Sequence, residues 1–534
     1  PNTLGPKGLM ELDKTLVALS DRAAQGEIHG VAVTGKEFIL AAGADLSRVG
    51  DVPSKAMAVK LAQLGHRALG RLGQLGVPSF VFINGLALGG GLEVALNADY
   101  RTVDVNVSAI ALPEVFLGLI PGWGGAYLLP NLIGIENALK VIIENPLKNN
   151  RMLNASAAFE LGIADAMFGS ARFLEESILW ADSVLNGHQP HRPNQPGKVE
   201  RLAKWNLAVN IAKKSVEEKL GSVAKSPYAA LELLEQARKV DKEAAFARED
   251  EAIASLIVGD QFQASMYAFD LVQKRAKKPA GAPDSKLAKP VGKVGVIGAG
   301  LMARQFALLF VRKLKVPVVL TDINQDKLDE ALAYIHAEIQ SMHEKGRISS
   351  DENQRLQALV SGTTNPQAFS DADWVIEAVF EELSVKQDVF ANIEQYISED
   401  AILATNTSSL SVNEIGAKLS HPERLVGFHF FNPVAVMPLV EVVNAPKTSE
   451  VTLATAMDTA KKLGKTAVIT TDSPGFVVNR LLARLLGEAM HAVDTGTPFK
   501  TVDDSVASFG MPMAPFELLD LVGLKVGAHV LDTH

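Results

Sequence analysis

His429 and Glu441 are the two ionisable groups in an otherwise apolar stretch, HFFNPVAVMPLVEV (429–442). Pro433 and Pro438 break it, so LVGFHFF reads as one strand and PLVEVV as another, with a turn between. Adjacent strands would set the imidazole beside the carboxylate. A carboxylate partner fixes the histidine tautomer and raises its basicity. Such a base can take a proton from a hydroxyl while hydride leaves the same carbon. The same residues also fit a buried, satisfied His–Glu pair without chemistry.

A second group of candidates lies in FILAAGADLSRV (38–49), INGLALGGGLEVALNADYR (83–101) and LPEVFLGLIPGWGGA (112–126). The triple glycine precedes a helix, so its backbone N–H groups can point at an anion. AAGAD can offer another N–H, and two such donors on one oxygen make an oxyanion hole for a thioester enolate. Glu93 stands just inside the helix and Glu114 follows a proline. Paired carboxylates can activate a water and deliver a proton to the carbon beside the thioester. Taken singly, GGG is also a packing turn, Glu93 a helix-dipole acid and Glu114 a loop acid.

The third group is KVGVIGAGLMARQFALLF (293–310), which reads strand, glycine turn, helix. Gly298, Gly300 and Ala303 occupy the G-x-G-x-x-G/A positions of a dinucleotide site. The first glycine permits the tight turn and the second a close approach to pyrophosphate. The third position needs a small residue for helix–strand packing. VPVVLTD then ends at Asp322, an acid placed to bind a ribose 2′-hydroxyl and to repel a 2′-phosphate, which favours NAD over NADP.

These groups need elements to carry them. The chain has 534 residues, 47% apolar and 21% charged, which suits several soluble domains. No apolar run is long enough for an integral membrane segment. The net charge of −9 argues against bulk nucleic-acid binding. The absence of cysteine removes disulfides, thiolate metal sites and cysteine nucleophiles, and no metal site is expected. NGHQPHRPNQPGK (186–198) and KKPAGAPDSKLAKPVG (277–292) read as linkers. Between them, residues 228–275 read as long and helical, with Leu231, Leu234, Ala237, Val240 and Ala244 at helical spacing. GVAVTG and PSFVFING before the first linker, and VPVVLTD, ADWVIEAV, AILATNTS and RLVGFHFF after the second, are strands of two α/β units. From Gly475 the pattern is mostly helical. Pro1 opens without a methionine and GAHVLDTH reads as mid-helix, as expected of a fragment lacking both ends.

GAGLMA, IEAVFEE, TNTSSL, GFHFFNPVAVMPLVEV and DSPGFVVNRLL, in this order, resemble the L-3-hydroxyacyl-CoA dehydrogenases from about residue 291 onward. The resemblance implies His429 as general base and Glu441 as the residue that orients it. It implies Ser408 and Asn479 at the substrate oxygen, Glu381 and Lys386 near the nicotinamide ribose, and cofactor contacts from Gly298, Gly300, Leu301, Met302 and Asp322. Ala303 stands where that family usually has glycine.

Residues 1–190 resemble the crotonase (enoyl-CoA hydratase/isomerase) superfamily. That likeness implies oxyanion N–H groups from Ala44 and Gly90, and catalytic acids Glu93 and Glu114; two glutamates favour hydration. GGAYLLPNLIG departs from the GGTQRL-like run of relatives, the two glutamates are one residue further apart, and the first strands are expected to be missing.

The two halves together resemble the multifunctional fatty-acid β-oxidation enzymes of the α-subunit type. The implied fold is a multidomain α/β protein. It comprises a crotonase-like spiral domain (1–190), a helical linker region (191–290), a Rossmann NAD-binding domain (291–474) and a truncated all-α C-terminal domain (475–534). The implied chemistry is hydration of a 2-enoyl-CoA followed by NAD-dependent oxidation. Further implications are acyl-CoA thioester substrates, a separate thiolase partner, a possible homo-oligomer and a bacterial cytoplasmic location. Two alternatives share these motifs. In one, the N-terminal half isomerises or merely binds acyl-CoA; in the other, the whole chain is a scaffold for a thiolase, which would be expected to have lost catalytic residues.

Overall fold

The computed structural model describes residues 2–45, 52–276, 279–507, 509, 511 and 513–524. They form two compact units, one reaching to Phe269 and the other built from Asp270–Ala507 and the residues from Met513.

In the first unit the strands are β1 (Val31–Thr34), β2 (Phe38–Ala41), β3 (Ser79–Ile83), β4 (Gly85–Leu88), β5 (Tyr100–Asp104), β6 (Ile110–Ala111) and β7 (Ala166–Phe168). They pair only in parallel, in two sheets ordered β1-β3-β5-β7 and β2-β4-β6. Successive strands therefore alternate between the sheets, and the chain advances as a spiral. SFVFI of β3 is buried along its whole length, as a parallel strand covered on both faces must be. Each β3-to-β4 type of step brings a loop to one edge, and the helix Gly90–Asn97 starts directly after β4.

Two stretches differ from expectation. Residues 228–275 are broken into Lys225–Gln236, Lys242–Ile257 and Asp260–Asp270. Asp241 makes the break, because its side chain accepts from Ala244 N–H and starts a new helix there. The first two of these helices pack into the same apolar core as the strands through Leu231, Leu234 and Ile253. Residues 186–198, read as a linker, are laid against the unit: Arg192 donates to the buried Asp165 at 2.6 Å and its guanidinium lies over the Tyr100 ring.

The second unit has one eight-stranded sheet ordered β10-β9-β8-β11-β12-β13-β14-β15. Its strands are β8 (Val294–Ile297), β9 (Val318–Thr321), β10 (Val360–Thr363), β11 (Trp374–Glu377), β12 (Ile402–Thr405), β13 (Leu425–Phe430), β14 (Leu439–Asn444) and β15 (Thr466–Thr471). All pairs are parallel except β13 with β14. The order reverses at β8, which has β9 on one side and β11 on the other, and the carboxyl ends there open a ligand crevice. Beyond Gly475 the helices are Val478–Asp494, Phe499–Ala507 and Pro515–Val522. GAHVLDTH (527–534) lies outside the described residues.

Candidate active sites

In the first unit Gly89 caps the helix Gly90–Asn97 with φ +52°, a conformation glycine adopts freely. The Gly90 N–H is left without a hydrogen bond among the described residues, as is the N–H of Ala44, which follows β2. The two segments run close: a side chain on Gly43 would meet the Leu88 carbonyl oxygen at 2.9 Å and the Gly90 nitrogen at 3.5 Å. The indole of Trp123 lies against Gly90, 2.3 Å from where a Cβ would stand, so only glycine fits there. Trp123 is a neighbour that reading by motif missed.

Glu93 is buried in the first turn of that helix. One carboxylate oxygen, Oε1, accepts from the N–H groups of Trp123 (2.7 Å) and Gly125 (2.9 Å). Glu114 begins the short 3-10 turn Glu114–Leu117. Its Oε1 faces Gly89, and its Oε2 is buried with no hydrogen-bond partner among the described residues. Burial, then the negative charge of Glu249, pushes the Glu93 carboxyl up to about 7, against the pull of its two N–H donors. Burial, then the charge of Glu93, holds Glu114 well above the carboxylate range. Both carboxyls are thus raised, and neighbouring acids of unequal environment are an arrangement in which one can serve as base and the other as acid.

In the second unit the β13–β14 register pairs His429 directly with Glu441. His429 Nδ1 is 2.8 Å from Glu441 Oε2, and both residues are buried. Glu441 Oε1 accepts from Val477 and Val478 N–H, each at 3.0 Å, at the start of the helix Val478–Asp494. Burial raises the Glu441 carboxyl, but the bonds from His429 and from Val478 and Val477 outweigh it, and the net direction is down. An ionised Glu441 fixes the imidazole with Nε2 turned away from it. Phe431 and Phe476 flank the ring at 4.6 and 5.7 Å between centroids.

Ser408 follows β12 and donates its backbone N–H to Glu381 Oε1 at 2.8 Å, while Asn479 Nδ2 donates to the Ser408 carbonyl at 3.1 Å. Asn406, which the motif reading did not single out, accepts from Phe430 N–H beside His429. Lys386 is buried, with its ammonium on both oxygens of Glu377 (2.8 and 2.9 Å) and on Glu381 at 3.1 Å. Val385 and Val389 line the adjoining cavity, whereas Lys386 and Glu381, expected near the nicotinamide ribose, are not among its described lining residues: Lys386 is turned inward onto Glu377 and Glu381. Burial raises the Glu381 carboxyl, but Lys386, Thr407 and Ser408 bring it below the usual range.

That cavity, of about 770 Å³, is lined by Gly298, Gly300, Leu301, Met302 and Asp322 among others. Gly298 has φ +106°, and a Cβ there would stand 2.8 Å from the Ala378 carbonyl oxygen. Gly300 caps the helix Leu301–Leu314 and a Cβ on it would meet nothing, so its backbone is open to a ligand. Ala303 is fully buried and packs 3.8 Å from the would-be Cβ of Gly298. Asp322 accepts from Ala299 and Asn324 N–H, which holds its carboxylate at the mouth of the crevice. A glycine cradle, a helix N-terminus and an acid after the second strand together fit a dinucleotide.

The sequence matches three family descriptions in succession. They are enoyl-CoA hydratase/isomerase over residues 1–195, the NAD binding domain of 3-hydroxyacyl-CoA dehydrogenase over 293–473, and the C-terminal domain of that dehydrogenase over 475–534. The chain is 34% identical over 519 residues to a fatty acid oxidation complex subunit alpha from Shewanella loihica, covering 96% of this chain and 72% of that one. The chain belongs to this family. It carries an enoyl-CoA hydratase domain fused to a 3-hydroxyacyl-CoA dehydrogenase, a lyase and an oxidoreductase on one polypeptide, with NAD as cofactor. Among solved structures, a 3-hydroxybutyryl-CoA dehydrogenase from Escherichia coli K12 is 34% identical, over 46% of this chain and 52% of its own, with a TM-score of 0.45. An (S)-3-hydroxybutyryl-CoA dehydrogenase from Ralstonia eutropha is 30% identical, over 46% and 87%, with a TM-score of 0.44. Among the described residues no helix is long and apolar enough to cross a membrane, and no cluster of His, Asp and Glu could hold a metal ion.

Proposed function

We propose that the chain converts a 2-enoyl-CoA to a 3-ketoacyl-CoA in two steps, with Glu93, Glu114, His429 and Glu441 as the proton-handling groups. The observation that carries this reading is that each unit keeps both members of an acid–base pair. Glu93 is buried on two backbone donors, with Glu114 Oε2 near it shielded from solvent and unpartnered among the described residues, and His429 is buried on its partner Glu441.

In the first step the thioester oxygen is held by the N–H groups of Ala44 and Gly90, which stabilise the enolate as charge moves onto it. Glu93 takes a proton from water as the water oxygen bonds to the carbon β to the thioester. Glu114 delivers its proton to the α carbon. Glu93 then returns its proton to solvent and Glu114 regains one from it, so the net change is the addition of one water. In the second step Ser408 and Asn479 position the new hydroxyl. His429 Nε2 takes the hydroxyl proton, and Glu441 stabilises the imidazolium that results. NAD, when bound, supplies the hydride acceptor. Gly298, Gly300, Leu301 and Met302 would hold its phosphates at the helix N-terminus, and Asp322 would hold the adenosine ribose.

The 3-ketoacyl-CoA product calls for thiolysis, and the sequence has no cysteine to serve as its nucleophile. A separate thiolase-type subunit is the partner this reading assigns, and a bacterial cytoplasm is the compartment.

The test supplies a short 2-enoyl-CoA and NAD to the intact chain, with no hydroxyacyl intermediate, and follows NADH. Accumulating NADH is expected. NADH only when 3-hydroxyacyl-CoA is added directly would leave the oxidation and remove the hydration.

A further inference from the structure

The helix Lys242–Ile257 carries a buried polar cluster that the hydration chemistry above does not use. Glu249 is 1% exposed; Asp250 beside it and His66 of the helix Lys55–Gly70 are each 7% exposed. His66 Nδ1 lies 2.7 Å from Asp250 and Nε2 lies 3.1 Å from Glu249. Both ring nitrogens thus face carboxylates, which requires the doubly protonated ring. The same Glu249 carboxylate reaches the loop behind Glu93: Oε2 accepts from Gly124 N–H at 2.7 Å and Oε1 from Tyr127 N–H at 3.0 Å.

The N–H groups of this loop are therefore divided between two acids. Trp123 and Gly125 donate to Glu93, while Gly124 and Tyr127 donate to Glu249. The helix also presses on the loop sterically. Ile253 Cδ1 is 2.2 Å, and Phe246 2.9 Å, from where side chains on Gly122 and Gly124 would stand. Phe246 stacks on the His66 ring at 4.2 Å.

We propose that Glu249, locked by His66 and Asp250, is a positioning residue for hydration that holds residues 123–127, the entry and first turn of the helix Gly125–Ile133, on Glu93 and keeps a charge behind it. This deepens the function proposed above, since it rests on Glu93 being the base. The charged groups around Glu93 come from three other elements: Glu114 from its 3-10 turn, His66 from Lys55–Gly70, and Glu249 with Asp250 from Lys242–Ile257. Glu249 raises the Glu93 carboxyl and His66 lowers it. The ring itself is kept protonated: burial disfavours its charge, but Asp250 and Glu249 bring it up to about 9.

The test uses the full chain, whose dehydrogenase step on 3-hydroxyacyl-CoA reports folding in the same preparation. Glu249→Ala should lower kcat for hydration about 10- to 100-fold, as expected when a catalytic group is misplaced by about an ångström, with KM changed little. Glu249→Gln removes the charge but not the shape, and should move the acidic limb of the hydration profile to lower pH by about one unit. His66→Gln removes the cation and should move that limb to higher pH. Opposite shifts are something a merely structural role would not produce. If Glu249→Ala does not fold, the two isosteric variants decide. Unshifted limbs in both, with oxidation intact, would overturn the proposal. Normal hydration by Glu93→Gln would instead overturn the assignment of Glu93, whatever the Glu249 variants do.

Discussion

The two units build their acid–base pairs in opposite ways. His429 and Glu441 face each other on neighbouring antiparallel strands, so one ladder sets their contact, and their charges attract. Glu93 and Glu114 come from a helix and a 3-10 turn with strands β5 and β6 between them in the chain, and two carboxyls are brought together out of water. The first arrangement stabilises the ionised carboxylate and orients a base. The second raises both carboxyls, first by burial and then by neighbouring negative charge, and so favours their protonated forms. A pair meant for orientation can be encoded locally. A pair meant for contrast in acidity needs a low-dielectric wall, and that wall is assembled from distant segments.

The largest expected effect exchanges the two pairs. Glu93→Gln or Glu114→Gln should cut hydration by about 10²- to 10⁴-fold and leave oxidation of 3-hydroxyacyl-CoA intact, while His429→Ala should do the reverse. Separate steady-state assays of the two half-reactions check this. Loss of both activities from any one change would break the comparison.

A smaller effect concerns pH and stability. Hydration needs Glu93 ionised, so its rate should fall as pH drops through about 7. It also needs Glu114 protonated, so the rate should fall again on the alkaline side. Both folded-state values lie above the ordinary 4.5, so the folded chain binds protons that the unfolded chain releases. The associated stability is full at acid pH and is lost as pH rises from that value through the raised ones. Glu114→Gln has no proton to lose. Its unfolding free energy should exceed the parent's by about 0.5–2 kcal/mol at alkaline pH, with the gain vanishing near pH 4. Denaturant midpoints for the first unit's transition across pH would show it. An equal gain at every pH would mean that packing, not charge, is responsible.

The smallest effect is on cofactor choice. Asp322→Ser removes the carboxylate that meets the Ala299 and Asn324 N–H groups at the crevice. The NAD over NADP preference, measured as a ratio of kcat/KM, should relax by about ten-fold while hydration is unchanged.

Much of the second unit was legible in the sequence. The apolar runs of β8, β9, β11 and β12 are continuous because parallel strands are covered on both faces. Their ends place Gly298, Gly300 and Asp322 by short-range rules. Lys386 was less legible, because nothing in its local spacing says that Glu377 and Glu381 will bury its ammonium. In the first unit the glycines and both glutamates stood out as types, but the pressure that separates their acidities did not. The run FAREDEA (246–252) lies in a stretch read only as helical, and the Pro-rich stretch holding Arg192 reads as a linker. Each proved to be packed against a buried charged partner, distant His66 in one case and the nearer Asp165 in the other.

By itself the sequence determined what depends on neighbours along the chain: the glycine turn after β8, the helix opening after Gly89, and the paired strands of His429 and Glu441. Only the tertiary structure decided which groups keep their protons. It shielded Glu114 Oε2 from water, hung residues 123–127 between Glu93 and Glu249, and tied Glu441 to the N–H groups of Val477 and Val478. Helix and strand propensities act over a few residues, whereas burial and the fields of buried charges depend on the complete arrangement of packed atoms around them.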